Sequence, residues 1–456
     1  MTLRRATARR ATALLLAALA VSSCRDKGPP GVALVGATVI DGSGGPPLRD
    51  AVVVVRGTHI EAVASRDGFK MPKHTEQVDV TGRWIIPGLI DAHAHTVRWA
   101  LPRYLGWGVT AVRDLHGQLD TMLALREQAV LNSVPSPRIY TAGAMIDGVP
   151  TTYPDALPAA DADAARKAVD RLAVAGVDYL KVYTRITPTL LRAIAGEAKS
   201  FNLRIAAHLG LTDALTAASL GVASIEHLSG VPEAAVQDPA PFYAAHSRGF
   251  FAGWTYFERS WATLDSASLS RVAAGLARQH VVLVPTLVLH ETFSRLDDST
   301  LYHDPALAAV PDSERVRWNT ADMIRRASWT AADFDAFRKG RPAQDLFIRM
   351  FRAAGGIVAA GTDASNQMLI PGYSLHEELS LLVHAGLTTN AALLTATRDA
   401  ARLIGADSLG SISAGRAADL LILTADPLAD IANTRSIDRV MIRGSLMKAD
   451  SIRRTW

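Results

Sequence analysis

The 456-residue chain has a single cysteine, Cys24, which excludes an internal disulfide and any metal site built from cysteines. Its N-terminal apolar run, Ala11 to Val21, would rise only ~16 Å as a helix, too little to cross ~30 Å of hydrocarbon. Acids are absent from residues 1–23, where Arg4, Arg5, Arg9 and Arg10 carry the excess. The whole-chain net charge is +4, so the remainder is close to neutral and gives no reason to expect a nucleic-acid partner. There is neither an internal repeat nor a low-complexity tract. No glycine-rich phosphate loop follows the first strand of the central region, which argues against a doubly wound sheet. What remains, with 49% hydrophobic and 20% charged residues, is the composition of a globular enzyme.

An arginine-rich start, a short apolar stretch and then Val21-Ser-Ser-Cys24 read as a signal peptide over residues 1–24. The ending resembles a bacterial lipobox, which implies lipidation of Cys24 and an exported, membrane-attached protein, periplasmic or at the cell surface. Plain secretion with an incidental cysteine is the alternative. Asp26 is a weak pointer to the inner membrane, and Arg25 to Gly31 reads as a solvated tether.

From Val32 to about Val80, β-branched runs such as Ala51-Val-Val-Val-Val alternate with turn signals such as Asp41-Gly-Ser-Gly-Gly-Pro-Pro. Similar segments recur at Gly410–Leu423 and Val440–Gly444. These flanks, 32–84 and 404–450, predict one small β-sandwich assembled from both chain ends. Between them, over 85–403, strands alternate with amphipathic helices such as Asp161–Ala175 and Leu190–Lys199. The strands expected are Ile85–Ala92, Val109–Asp114, Arg138–Gly143, Tyr179–Tyr183, Arg204–His208, Val222–His227, Val281–Thr286 and Ile357–Asp363. Eight is the number of a (β/α)8 barrel.

Polar residues collect at the ends of these strands. His93 and His95 follow the first at i and i+2, on one side of an extended backbone. Lys181, His208, His227 and Asp363 fall at or near the ends of the fourth, fifth, sixth and eighth, and a barrel gathers those ends on one face. Imidazole and carboxylate are standard zinc ligands. An ammonium is not, but a buried neutral lysine can add carbon dioxide and become a carbamate that bridges two ions.

The run Pro87-Gly-Leu-Ile-Asp-Ala-His-Ala-His95 resembles the opening signature of the amidohydrolase superfamily. So do Tyr179-Leu-Lys-Val-Tyr183, Ala207-His208, Ile225-Glu-His227, Gly361-Thr-Asp363 and the flank Gly415-Arg-Ala-Ala-Asp-Leu-Leu-Ile-Leu423. The resemblance covers about residues 32–445 and is nearest to the imidazolonepropionase-like branch, which includes prolidase-like dipeptidases. It implies two divalent ions, zinc foremost. His93, His95 and Asp363 would hold one ion, His208 and His227 the other, with Lys181 as N6-carboxylysine between them. It also implies that hydroxide from a water shared by the ions attacks a carbonyl carbon, and that Asp363 carries the proton to the departing amine.

Tyr183, His116, Arg113 and His290 are candidate substrate contacts, although Arg113 is equally suited to an internal ion pair. His376 is a candidate partner behind the ligands. His59, His74, His246, His280, His303 and His384 read as surface or structural residues. The aromatic stretch 249–257 and the excursion 291–350 fit either a substrate lid or an ordinary cap. The leading expectation is hydrolysis of an amide C–N bond in a small molecule, a dipeptide or N-acyl amino acid. A cyclic amide, imide or lactone is the alternative, and a lipid-anchored solute-binding protein the remote one. Oligomeric state stays open, a homo-oligomer included.

Overall fold

The computed structural model describes residues 30–131 and 135–456. Cys24 and the expected signal peptide lie outside the described residues. Among the described residues, no helix is long and apolar enough to cross a membrane.

The central region is a parallel barrel. Its strands are Leu89–Ala94, Val109–Asp114, Arg138–Thr141, Tyr179–Val182, Arg204–Ala207, Ser224–Glu226, Val282–Val284 and Ile357–Val358. Neighbours pair in parallel throughout, except that the third and fourth strands are joined by Asp178 N–H donating to Thr141 O at 2.9 Å. Ala92 N–H donating to Ala360 O at 2.9 Å closes the ring between the last strand's extension and the first. A short parallel pair that the sequence did not signal, Ile146–Gly148 and Leu157–Ala159, meets the fourth strand at Val182.

The surrounding helices form for local reasons. In Ala162–Ala175 the buried residues Ala165, Ala168, Val169 and Leu172 recur at helical spacing and face the barrel. The Asp161 carboxylate caps its start, accepting from the N–H groups of Asp163 and Ala164, and Gly176 ends it at φ 78°.

The flanks form one eight-stranded sheet. The stretch expected as a single strand from Ile85 to Ala92 breaks at Gly88. Trp84–Pro87 belongs to the flanking sheet, where it pairs antiparallel with Leu420–Leu423, while Leu89–Ala94 enters the barrel. The strand Gly31–Val39 pairs on one side with Leu48–Arg56 and on the other with both Thr75–Asp79 and Trp84–Pro87, so the sheet forks there. Alternation along Leu420–Leu423 ties the two parts together. Leu420 and Ile422 join the sheet's own core, and Leu421 and Leu423 join the barrel's. Gly410–Ile412, expected to be extended, lies outside any strand.

Candidate functional site

Five of the six expected ligands sit where strands hand over to loops. His93 is near the end of the first barrel strand, and His95 follows it. His208 and His227 lie just beyond the fifth and sixth, and Asp363 lies in the extension of the eighth, which ends at Val358 rather than at Asp363 as expected. Lys181 is inside the fourth strand and only 1% exposed. His227 and Asp363 take left-handed backbone conformations, φ 58° and 65°, which few non-glycine residues adopt and which turn their side chains toward the common centre.

The ring centroids of His93 and His227 are 4.4 Å apart, those of His208 and His227 4.6 Å, and those of His93 and His95 5.5 Å. Asp363 Oδ1 lies 3.0 Å from His93 Nε2 and 2.9 Å from His95 Nε2. One ligand atom from each of His93, His227 and Asp363 can be chosen so that all three fall within 4.8 Å of one another, a group that can hold a metal ion.

Supporting residues fix the imidazoles. Glu226 accepts at its Oε2 from His93 Nδ1 at 2.7 Å. A carboxylate only accepts, so Nδ1 carries the hydrogen and Nε2 is left with its lone pair toward Asp363. His227 Nδ1 meets Thr286 Oγ1 at 2.8 Å. Asn366 Nδ2 donates to Asp363 Oδ2 at 2.7 Å, and Asp91 Oδ1 accepts from the N–H of His93 and of Thr362.

For three of the four histidines the electrostatics favour ligation over proton storage, whereas for His95 burial lowers the imidazole but Asp363 outweighs it and raises it. Burial, then the Lys181 charge, holds the His93 imidazole below its usual range; burial drives His208 and His227 well below it. These three are therefore neutral, the form that coordinates metal. Burial also pushes the Lys181 amine down to about 8. For Asp363 burial raises the carboxyl, but the nearby His227 and His95 outweigh it and keep it well below the carboxylate range. Burial likewise raises Glu226, yet Arg113 and His93 hold it at about 2.

Two expected substrate contacts are redirected. Arg113 is buried, donating from Nη2 to both Glu226 oxygens at 2.9 and 3.0 Å, from Nη1 to Ser224 Oγ and from Nε to Ala92 O. With its donors engaged beneath the histidines, it holds Glu226 rather than a ligand. His290 is also enclosed: Nδ1 pairs with Glu258 Oε1 at 2.5 Å and Nε2 with His227 O at 3.1 Å. His376 bonds Thr434 Oγ1 and Trp107 O, far from the expected role behind the ligands, and joins barrel to flank.

Tyr183 and His116 do border the site. The Tyr183 ring lies 4.7 Å from that of His208, and the His116 ring 6.4 Å from that of His95. His246, expected to be merely structural, is buried against Glu233 at 3.2 Å on the His208 side. The aromatic stretch forms the helix Phe250–Ser260, whose Phe250 packs near Tyr183 and His208. Most of the excursion is a cap whose Trp318 and Trp329 are buried in a core of their own, although Trp318 Nε1 donates to Ser365 O.

Residues 84–447 match a family model described as the amidohydrolase family. The chain belongs to that family. It is a hydrolase acting on carbon–nitrogen bonds. As an amidohydrolase it is similar to the imidazolonepropionase of Deinococcus radiodurans, with 26% identity over 396 residues, 85% of this chain and 88% of that protein. Among solved structures, a bottromycin amidohydrolase superposes with a TM-score of 0.69 at 22% identity, covering 94% of this chain and 90% of that one. A Xaa-Pro dipeptidase with bound methionine gives 0.68 at 18%, covering 92% and 100%. These two likenesses bear on the fold, the barrel with its flanking sheet.

Proposed function

We propose that this amidohydrolase is metal-dependent, cleaves the amide bond of a dipeptide or N-acyl amino acid, and is held at the outside of a membrane by a lipid on Cys24. The observation that carries the metal reading is a set of buried polar atoms without hydrogen-bond partners. His93 Nε2, Asp363 Oδ1 and Lys181 Nζ are all in this state, and all belong to the same cluster. Buried polar atoms left unpaired cost free energy, and cation coordination would satisfy the first two directly. Lys181 Nζ fits after adding carbon dioxide and releasing a proton, since an amine near 8 is partly neutral at physiological pH.

In this reading His93, His95 and Asp363 would hold one ion, His208 and His227 a second, and carboxylated Lys181 would serve both. Such ions would supply an acidified water and a Lewis acid for the amide carbonyl, zinc being the best match to the donor set. The chain's own part is positional. Glu226 and Thr286 orient His93 and His227, while Asn366 steers the Asp363 carboxylate. Asp363 takes the nucleophile's proton and passes it to the departing nitrogen as the C–N bond breaks. Tyr183 and His116 are placed to touch substrate.

A cyclic amide is the second reading, favoured by the similarity to imidazolonepropionase along most of both chains. A mass-spectrometric screen tests both. The mature protein, reconstituted with zinc and bicarbonate, is offered pooled dipeptides, N-acyl amino acids, cyclic imides and lactones. Cleavage confined to the open-chain amides supports the first reading, and cleavage confined to the rings supports the second. Equal turnover after exhaustive metal removal would overturn the metal dependence.

A further inference from the structure

Space around the ligand cluster is lopsided. On the His208 side, Phe250, Trp254 and Phe257 close down to a crevice of about 10 Å³, room for one water at most. On the His95 side a cleft of about 590 Å³ opens, within the range of small-molecule sites. His95 is the ligand candidate that reaches it: 26% of its side chain is exposed, against none for His93.

The cleft's chemistry is uneven too. Met122 and Leu125, from the helix Leu119–Val130, give it an apolar floor, and Val97 adds an exposed apolar wall. Arg98 stands at the rim, its guanidinium donating to the neutral amide of Gln128. Among the described residues no carboxylate lies within ion-pair distance of Arg98, although Asp120 also lines the rim.

Resting on the amidohydrolase reading above, we propose that this cleft binds the amine-side half of the substrate, an amino acid with a large apolar side chain and a free carboxylate. The direction follows from the cleft's own lining. An apolar floor of Met122 and Leu125 with the cation Arg98 at the rim matches the half attached to the departing nitrogen. In dipeptides and N-acyl amino acids this half carries the free carboxylate, which meets Arg98. The acyl half then faces Tyr183, whose ring packs near those of His208 and Phe250.

Calorimetric titration of the zinc-loaded protein with free amino acids tests this without requiring turnover. Phenylalanine and leucine should bind at least about ten-fold more tightly than glycine, because they bury side-chain area on the apolar floor. Phenylalaninamide should bind about five-fold more weakly than phenylalanine, and Arg98→Gln should erase that difference. Met122→Trp should remove the preference for phenylalanine over glycine; if that variant melts early, Leu125→Ala should weaken phenylalanine alone. Equal binding of glycine and phenylalanine, or a preference for a cationic end set by Asp120, would overturn the assignment. Kinetics separate the two proposals. Turnover of N-acetylglycine but not N-acetylphenylalanine sinks the cleft and spares the hydrolase. Binding as expected with no amide cleaved spares the cleft and sinks the substrate reading.

Discussion

At the scale of single residues, the strand period made much of the cluster legible. His93 and His95 alternate along one backbone, so two side chains on one face follow from period two alone. What could not be read was the partner of each. Arg113 pairs with Glu226, 113 positions away, and only the closed barrel brings them together. Glu226 itself stood beside His227 in the Ile-Glu-His motif, and the same alternation points it away from its neighbour. Two substitutions probe this scale. Asp363→Asn should lower kcat about a hundred-fold or more while the melting temperature stays near that of the parent; an unchanged rate removes the proposed proton carrier. Lys181→Ala should lose bound metal by elemental analysis and regain part of it with added short carboxylic acids. Full metal content without any added acid would disprove the carbamate.

At the scale of elements, strands two to seven were legible to within two residues, because apolar runs bounded by helices leave little freedom, whereas the eighth, expected through Asp363, ends at Val358. The boundary of the first was not legible either. Ile85 to Ala92 reads as one apolar run, yet the chain changes sheets at Gly88, whose N–H donates to Asp419 O. A side chain at Gly88 would meet Thr110 Oγ1 at 2.1 Å, so Gly88→Ala should cost about 1–3 kcal/mol and lower the melting temperature. The helix Tyr373–His384 offers a pH test. Burial raises the Glu378 carboxyl to about 8, despite an N–H from Val288 at 2.8 Å. Its folded value exceeds its unfolded one, so the folded state keeps a proton that the unfolded chain gives up. The stabilisation is complete below about 4.5 and is lost as pH rises toward 8. Glu378→Gln should therefore melt higher than the parent at pH 8, with the gap closing toward pH 5; a gap constant with pH would refute a buried neutral acid.

At the scale of the whole molecule, the barrel and a β unit built from both ends were expected, and both are present. The forked single sheet was not visible, because sequence shows strands but not which neighbours a strand accepts. Attachment has a direct check at this scale. Cys24→Ser should move the protein from the membrane fraction to the soluble one, and persistent membrane association would rule out the lipid.

The antiparallel pairing of Trp84–Pro87 with Leu420–Leu423 has a consequence in time. The partners are more than three hundred residues apart, so at typical synthesis rates the first waits about twenty seconds to a minute for the second. During that interval Ile85 and Ile86 offer a bare apolar edge, the kind that pairs with another chain. The last strands made are thus what completes the fold, and a chain that stops short of Leu420 is left with an adhesive border in place of a finished enzyme.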